Sequence, residues 1–244
     1  MLLLLAKSLV YGMLNPVYWF AIGVTYRRYQ RENCPRPGQM TVRSVGAGLW
    51  SGTLGVLLVS GLGLSVQMGM YLALLFPTAL ILAKIRPRFC CFAYSGAVLG
   101  LLGIGDVPGI LAVVGLLHVM EAALSVSGVT LGSQLVWKDE RLRSVPMRQG
   151  CWPVPFALLI PGSTAAEVLQ MPSWWPLLGE GTYFSLFPMT ALILYQAEGH
   201  ERGWRLLGYG VLLLGVSLLL PQGKLWEILG LFIMVYIHEW ILLE

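Results

Sequence analysis

The chain has 244 residues, of which 57% are hydrophobic and 11% are charged, and its mean hydropathy is +0.72. Because an ordinary soluble domain carries about 25% charged residues, this composition excludes most soluble enzymes and also excludes a disordered chain. The net charge of +4 comes from short basic clusters between long apolar runs, so we expect no nucleic-acid partner. The composition predicts an integral membrane protein.

A helix that crosses a membrane needs about 20 apolar residues. Nine windows meet this requirement, in chain order 8–26, 45–66, 67–83, 89–105, 107–128, 149–166, 181–197, 206–223 and 225–243. The window 149–166 contains Pro153, Pro155 and Pro161, so it is either a full span or a broken, re-entrant helix. The predicted fold class is all-α, a polytopic transmembrane helix bundle of eight or nine spans. Residues 1–244 would form a single integral membrane domain without a soluble domain.

The positions of the basic residues predict the orientation of the chain. If the first span runs from outside to inside, all of the 16 Lys and Arg residues except Lys7 and Lys224 lie in internal loops or beside them. Cytoplasmic loops carry an excess of Lys and Arg. The predicted topology is therefore a multi-pass cell-membrane protein with an external N-terminus and a cytoplasmic C-terminus. All four cysteines would lie on the cytoplasmic side as reduced thiols.

Two of the predicted cytoplasmic segments are basic. Their charges come from Arg27, Arg28, Arg31 and Arg36 in the first segment and from Lys138, Arg141, Arg143 and Arg148 in the second. The first cluster should attract anionic lipid headgroups, so membrane lipid is an expected partner, whereas alternating signs in the second segment leave little net field. The second segment is interpreted either as a docking surface for cytoplasmic proteins or as a solvated loop or short surface helix.

Four ionisable residues interrupt the apolar windows near their predicted cytoplasmic ends. They are His118 and Glu121 in 107–128, and His238 and Glu239 in 225–243. An ionisable residue within a span is a candidate for a functional site, and the two pairs could meet in the bundle. Three roles are open: a metal site, a proton relay, or a hydrogen-bonded clasp between two helices. We favour the clasp, because it satisfies the polar groups without requiring chemistry, and we predict neither a metal nor a cofactor.

The sequence Gly103-Ile104-Gly105-Asp106 invites comparison with intramembrane aspartyl proteases. Those enzymes need a second aspartate in a neighbouring helix, because two carboxylates share one proton. The one other aspartate, Asp139, lies outside the predicted spans. We therefore predict a tight turn in which Asp106 caps a helix that begins near Pro108. No complete catalytic set is present, so we predict no catalytic residue and no enzymatic activity.

Two Gly-x-x-x-Gly motifs lie within predicted spans, at Gly48 and Gly52 and at Gly96 and Gly100. Small residues four apart allow two helix backbones to approach closely. We expect them to pack helices within one chain rather than between chains, and homo-oligomerisation remains a possibility.

Several short stretches resemble the membrane region of the MinJ-type, PDZ-containing membrane proteins of Gram-positive, spore-forming bacteria. These stretches are Asn15-Pro16-Val17-Tyr18-Trp19, Tyr26-Arg27-Arg28, His118-Val119-Met120-Glu121-Ala122 leading to Ser127-Gly128, Trp152-Pro153-Val154-Pro155 and His238-Glu239. The resemblance implies a role in cell division, in which the protein links a DivIVA-like protein to MinC- and MinD-like proteins. The PDZ module that follows the helices in that family is not in this sequence. This departure fits a shortened relative, a separately encoded membrane half or a truncated reading frame.

We therefore expect a membrane-embedded scaffold or adaptor that bridges division-site or polar proteins to the membrane. The alternative is a small proton- or ion-coupled transporter that uses the buried His and Glu pairs. A membrane-embedded enzyme ranks last.

Overall fold

A computed structural model describes residues 2–32, 34–67, 69–127, 133–138, 141–146, 149–161, 169–170, 183–196 and 200–243. These residues form eight α-helices and one short 3-10 helix, Pro87–Cys90. The α-helices are α1 (Leu2–Leu14), α2 (Pro16–Arg31), α3 (Pro37–Leu62), α4 (Met70–Ile85), α5 (Phe92–Leu101), α6 (Val107–Val126), α7 (His200–Leu219) and α8 (Lys224–Leu243).

The described residues also contain strands between α6 and α7. They are β1 (Ser133–Lys138), β2 (Arg141–Pro146), β3 (Gln149–Pro161), β4 (Leu169–Gln170) and β5 (Tyr183–Gln196). Strands β1 and β2 pair as an antiparallel hairpin, in which Lys138 lies opposite Arg141. The other three form a sheet in the order β3-β5-β4.

The prediction of an all-α bundle with eight or nine spans is wrong. The windows 149–166 and 181–197 contain strands β3 and β5 instead of helices. Among the described helices, α3 and α6 are long and apolar enough to cross a membrane, and a buried core helix passes the same test. Helices α4 and α5 have 16 and 10 residues, fewer than the roughly 20 that a span needs.

Proline and side-chain shape explain why the two windows are strands. A proline inside a helix removes a hydrogen bond and clashes with the preceding turn, and β3 contains Pro153 and Pro155. Strand β5 contains Pro188 together with several aromatic residues, which favour strands. A continuous apolar run has no periodicity that separates a buried strand from a buried helix, so hydropathy alone predicted the wrong element.

The first predicted span, 8–26, is divided into two helices at Asn15. Helix α1 ends at Leu14, and α2 begins at Pro16. The side chain of Asn15 accepts a hydrogen bond from the N–H group of Val17 at 2.9 Å, and proline suits the first position of a helix. These helices have 13 and 16 residues, and each is shorter than the window that predicted them.

The chain forms two compact units. The first contains Met1–Leu57, Met120–Ala157 and Leu186–Trp204. In this unit, Gly48 and Gly52 of α3 lie directly on the backbone of β3, where a Cβ atom would collide with the carbonyl oxygens of Pro153 and Pro155. The first Gly-x-x-x-Gly motif therefore packs a helix on a strand, not on a second helix as predicted.

The second unit contains Leu58–Val119, Leu158–Ser185 and Arg205–Glu244. Here the other Gly-x-x-x-Gly motif packs helices together, as the sequence predicts. A Cβ atom on Gly96 of α5 would lie 2.6 Å from Ile110 of α6, and one on Gly100 would lie 2.7 Å from Leu231 of α8. Helix α5 therefore approaches both α6 and α8 closely.

Helices α6 and α7 touch through their backbones in the second unit. A Cβ atom on Gly210 of α7 would lie 2.7 Å from the carbonyl oxygen of Gly115 in α6, and the reverse distance is 2.9 Å. Beside this crossing, Ala112 and Val119 of α6 and Leu214 of α7 form a buried apolar cluster with Leu64. The absence of side chains at the two glycines is what permits this approach.

The turn between α5 and α6 confirms the prediction for Asp106. Gly103 and Gly105 have positive φ angles of 70° and 125°, a region that glycine adopts without steric cost. The Asp106 carboxylate accepts a hydrogen bond from the N–H group of Gly109 at 3.0 Å. This aspartate therefore caps the first turn of α6, as expected from its position.

Candidate metal centre

Three side chains of metal-binding type converge in the second unit. Cys91 lies at the start of α5, His118 in the middle of α6, and His238 near the end of α8. One ligand atom from each lies within 4.8 Å of the ligand atoms of the other two. The Sγ atom of Cys91 is 3.5 Å from Nε2 of His118. The cluster therefore joins residues that are far apart in the sequence.

The position of Cys91 favours the form of the thiol that binds metals. Cys91 is the N-cap of α5, and its Sγ atom accepts a hydrogen bond from the N–H group of Ala93 at 3.5 Å. The N-terminal end of a helix carries partial positive charge, which stabilises a thiolate. In the adjacent residue Cys90, burial raises the pKa of the thiol. Cys91 therefore combines a helix-capping position with a place in the cluster.

The His118 ring is held with Nε2 directed towards Cys91. Its Nδ1 atom lies 2.8 Å from the carbonyl oxygen of Val114. Because a carbonyl can only accept a hydrogen bond, Nδ1 carries the hydrogen and Nε2 carries the lone pair. Metal-bound histidines usually donate their second N–H group to a carbonyl or carboxylate in this way. His118 is thus already in the tautomer that binds a metal through Nε2.

The His238 ring belongs to a chain of polar contacts that runs to the surface. The Tyr94 hydroxyl donates a hydrogen bond to Glu239 Oε1 at 2.6 Å and lies 3.3 Å from His238 Nδ1. The other oxygen of Glu239, Oε2, forms an ion pair with Arg88 at 3.2 Å. Four residues from the start of α5, the preceding 3-10 helix and α8 are therefore linked in series.

Tyr209 of α7 packs against both imidazole rings. Its ring centroid lies 4.8 Å from that of His118 and 5.7 Å from that of His238. The two histidine rings lie 5.3 Å apart, nearly perpendicular to each other. The Tyr209 hydroxyl donates a hydrogen bond to the carbonyl oxygen of Met234 at 2.7 Å. This buried tyrosine forms one wall of the cluster and ties α7 to α8.

The separation of the ligand atoms suits a tetrahedral ion of the zinc type. A metal that binds sulfur at about 2.3 Å and nitrogen at about 2.05 Å separates those atoms by about 3.6 Å. The distance between Cys91 Sγ and His118 Nε2 is 3.5 Å. Since the three atoms all lie within 4.8 Å of one another, His238 needs only a small movement to complete the set. Within the described residues this gives a site with three protein ligands, the number that zinc sites with an open fourth position use.

The structure brings some of the predicted polar residues together and separates another. His118 and His238 meet, and Glu239 joins them through Tyr94. The clasp was predicted between the two helices that carry the His and Glu pairs, α6 and α8, whereas the hydrogen bonds of Tyr94 join α5 to α8. Glu121 is in the first unit, within electrostatic reach of Arg202. The cluster in the second unit is formed without it.

Sequence reasoning missed Cys91 and Tyr94. Cys91 has no C-x-x-C partner, and its neighbours in the cluster come from other helices. The available signal was a cysteine directly before an apolar helix, at a position where a side chain can cap the first turn. That signal is weak by itself. It becomes informative once the structure shows two histidines beside the cysteine.

The predicted basic segments are both in the first unit. Arg27, Arg31 and Arg36 are exposed around the end of α2 and the start of α3, and Arg28 pairs with Glu32 at 3.0 Å. In the second segment, Lys138, Arg141 and Arg143 are on strands β1 and β2, while Arg148 lies outside the described residues. The segment that was expected to be a loop or a short helix is thus a hairpin.

Comparison of the chain with known protein families, curated proteins and solved structures finds no match. The resemblance to MinJ-type proteins, and the DivIVA-, MinC- and MinD-like partners that it implies, remain predictions.

Proposed function

We propose that this chain is a membrane-embedded protein that binds a divalent transition metal of the zinc class through Cys91, His118 and His238. The observation that carries the proposal is the convergence of a thiol and two imidazoles from three separate helical elements. Thiolate and imidazole together are the ligands that zinc prefers in proteins. The hydrogen bond from His118 Nδ1 to Val114 supports the proposal, because it leaves Nε2 to act as the ligand.

The membrane part of the proposal rests on two features of the helices. Helices α3 and α6 are long and apolar enough to cross. In addition, α8 carries a stripe of exposed apolar side chains at helical spacing, formed by Leu225, Leu229, Phe232, Tyr236 and Trp240. An apolar stripe of this length is unusual on a water-exposed surface and suits contact with lipid tails.

The orientation follows from the basic residues. Arg27, Arg31 and Arg36 are exposed before α3, and the positive-inside rule assigns that end of α3 to the cytoplasm. The exposed arginines would contact anionic lipid headgroups. With α3 and α6 as the crossing helices the chain would cross the membrane twice. Both termini would then be cytoplasmic, and the external N-terminus expected from nine spans is given up.

A centre with three protein ligands suits an ion that is exchanged rather than one that is held permanently. Structural zinc sites usually have four protein ligands, whereas sites with three leave a position for water or another ligand. We therefore favour the ion-transporter alternative, in the form of metal transfer across or along the membrane. No contact among the described residues bears on the division-site scaffold, which remains a prediction.

The first experiment measures metal binding by the purified protein in detergent. Cobalt(II) is a suitable probe, because its absorption spectrum reports both the coordination geometry and the presence of a thiolate ligand. We expect one cobalt ion per chain, displaced by zinc, with a sulfur-to-cobalt charge-transfer band. Cys91→Ser should abolish that band, whereas the matched variant Cys34→Ser, at a cysteine outside the cluster, should keep it. Equal loss in both variants, or no cobalt binding by the wild type, would contradict the proposal.

A second measurement tests transfer. We expect proteoliposomes that contain the wild type to take up zinc, and those that contain Cys91→Ser to lose this uptake at equal protein level. Stoichiometric binding without uptake would reject the transfer role and leave a metal-binding protein of another kind.

A further inference from the structure

We infer that Tyr94 and Glu239, held by Arg88, form a positioning arm that presents Nε2 of His238 to the metal. This inference rests on the proposed metal-binding function and adds the residues that set the second histidine. The arm is defined here as the series Arg88, Glu239, Tyr94 and His238 Nδ1.

The first step concerns the direction of the side chains. His238 and Glu239 are adjacent in α8, so their side chains leave the helix about 100° apart. They cannot both point into one cluster directly. Tyr94 of α5 bridges them, because its hydroxyl oxygen lies 2.6 Å from Glu239 Oε1 and 3.3 Å from His238 Nδ1. Through this bridge, Glu239 is connected to the ring of His238 although its own side chain leaves the helix in another direction.

The second step concerns the single hydrogen of the Tyr94 hydroxyl. Glu239 has only acceptor oxygens when it is ionised, so the short contact to Oε1 uses that hydrogen. The Tyr94 oxygen must then accept from His238, which requires the hydrogen of His238 to be on Nδ1. The lone pair of the ring is consequently on Nε2, the same nitrogen that His118 directs towards Cys91.

The third step concerns what holds the arm itself. Arg88 binds Glu239 Oε2 at 3.2 Å, and the exposed fractions of the two side chains are 37% and 26%. The Arg88 guanidinium also lies over the Phe89 ring at 5.3 Å, and the Phe89 ring packs against Tyr94 at 4.8 Å. The carboxylate of Glu239 is therefore fixed from one side by a cation, while the Tyr94 ring is fixed by an aromatic contact.

The two histidines are thus oriented by different means. His118 uses a backbone carbonyl, which no side-chain substitution removes, and His238 uses a hydroxyl that can be deleted. Loss of a residue that orients a metal ligand typically weakens metal affinity by about 10- to 100-fold. The arm should therefore control affinity through one ligand only.

Cobalt(II) titration of four variants tests the arm. Tyr94→Phe removes the hydroxyl and keeps the ring, and we expect affinity to fall by about 10- to 100-fold with the sulfur-to-cobalt band retained. Glu239→Ala should have a similar effect, whereas Glu239→Gln should restore most of the affinity, because its amide oxygen still accepts from Tyr94. The double variant Tyr94→Phe/Glu239→Ala should be no weaker than either single variant, since the two residues act in series.

Tyr71→Phe is the matched control. It also deletes the hydroxyl of a buried tyrosine in the second unit, but that hydroxyl donates to the Gln67 carbonyl and Tyr71 is not part of the cluster. We expect unchanged cobalt affinity and an unchanged cobalt spectrum. Thermal unfolding of each variant separates a loss of fold from a loss of orientation.

The outcomes distinguish the arm from the centre. If Tyr94→Phe binds cobalt like the wild type while Cys91→Ser does not, the arm is wrong and the centre stands. If the losses in Tyr94→Phe and Glu239→Ala multiply in the double variant, the two residues do not act in series. If the wild type and Cys91→Ser bind cobalt equally, the metal-binding proposal itself fails.

Discussion

The two His–Glu pairs of this chain look alike in sequence and are used differently in the structure. His238 belongs to the cluster, and Glu239 is linked to it because the Tyr94 hydroxyl donates to Glu239 and lies 3.3 Å from His238 Nδ1. In α6, His118 lies in the cluster, while Glu121 is in the other unit near Arg202. The adjacent residues of α8 therefore share one polar network, whereas the two residues of α6 that are three apart do not.

The difference shows what helical spacing can and cannot predict. Residues three apart point in similar directions, so His118 and Glu121 were expected to act together. Whether they do depends on which side chains the neighbouring elements place beside each of the two residues. For α8 the decisive neighbour is α5, which supplies both Cys91 and Tyr94.

The largest expected effect comes from removing either histidine. We expect His118→Ala and His238→Ala to weaken cobalt(II) affinity by more than the roughly 100-fold that loss of an orienting residue costs, since each removes a ligand. Both should do so equally, because each supplies one nitrogen. Isothermal titration in detergent measures the two affinities. A strong loss in only one variant would mean that the other ring is a neighbour of the site and not a ligand.

We expect a moderate loss of stability from Gly210→Val. This variant bears on the comparison of the two pairs, because it should disturb α6, which carries His118, more than α8, which carries His238. The added side chain would meet the carbonyl of Gly115 and the side chain of Val119, and overpacking of this kind typically costs about 1–3 kcal/mol. Thermal unfolding should show that loss. Gly208→Val in the same helix is the control, because a Cβ atom there meets nothing within 4 Å. Equal destabilisation by both variants would contradict the close contact between α6 and α7.

The smallest effect is expected from Glu121→Gln. We expect its cobalt affinity and spectrum to equal those of the wild type, because Glu121 is not part of the cluster. Glu239→Ala, the corresponding change in the other pair, should weaken binding. A loss of metal affinity in Glu121→Gln would remove the contrast between the two pairs, whichever way Glu239→Ala behaves.

Sequence reasoning predicted features that depend on local chemistry. The cap at Asp106, the packing of Gly96 and Gly100 against helices and the meeting of His118 with His238 are all present. Capping depends on the next three residues, and a polar residue in an apolar helix needs a polar partner. Both requirements can be recognised within a single segment of the sequence.

The features that were missed depend on partners far away in the chain. Strand β5 is an apolar run whose length alone was compatible with a span, and only its pairing with β3 and β4 distinguishes it. The packing of Gly48 on Pro153 could not be predicted, because the motif indicates a close approach without saying to what. Cys91 was missed for the same reason, since its significance comes from two other helices.

The glycine turn at Gly103 and Gly105 has a consequence for how the chain tolerates insertions and deletions. From this turn, α5 runs back to Cys91 and α6 runs forward to His118. The centre therefore depends on matched lengths of these two helices. One residue inserted between Val107 and His118 would turn the imidazole by about 100° and shift it by about 1.5 Å. The same residue inserted in the turn leaves both helical phases intact. We therefore expect the chain to tolerate changes of length in the turn between α5 and α6 but not within the two helices.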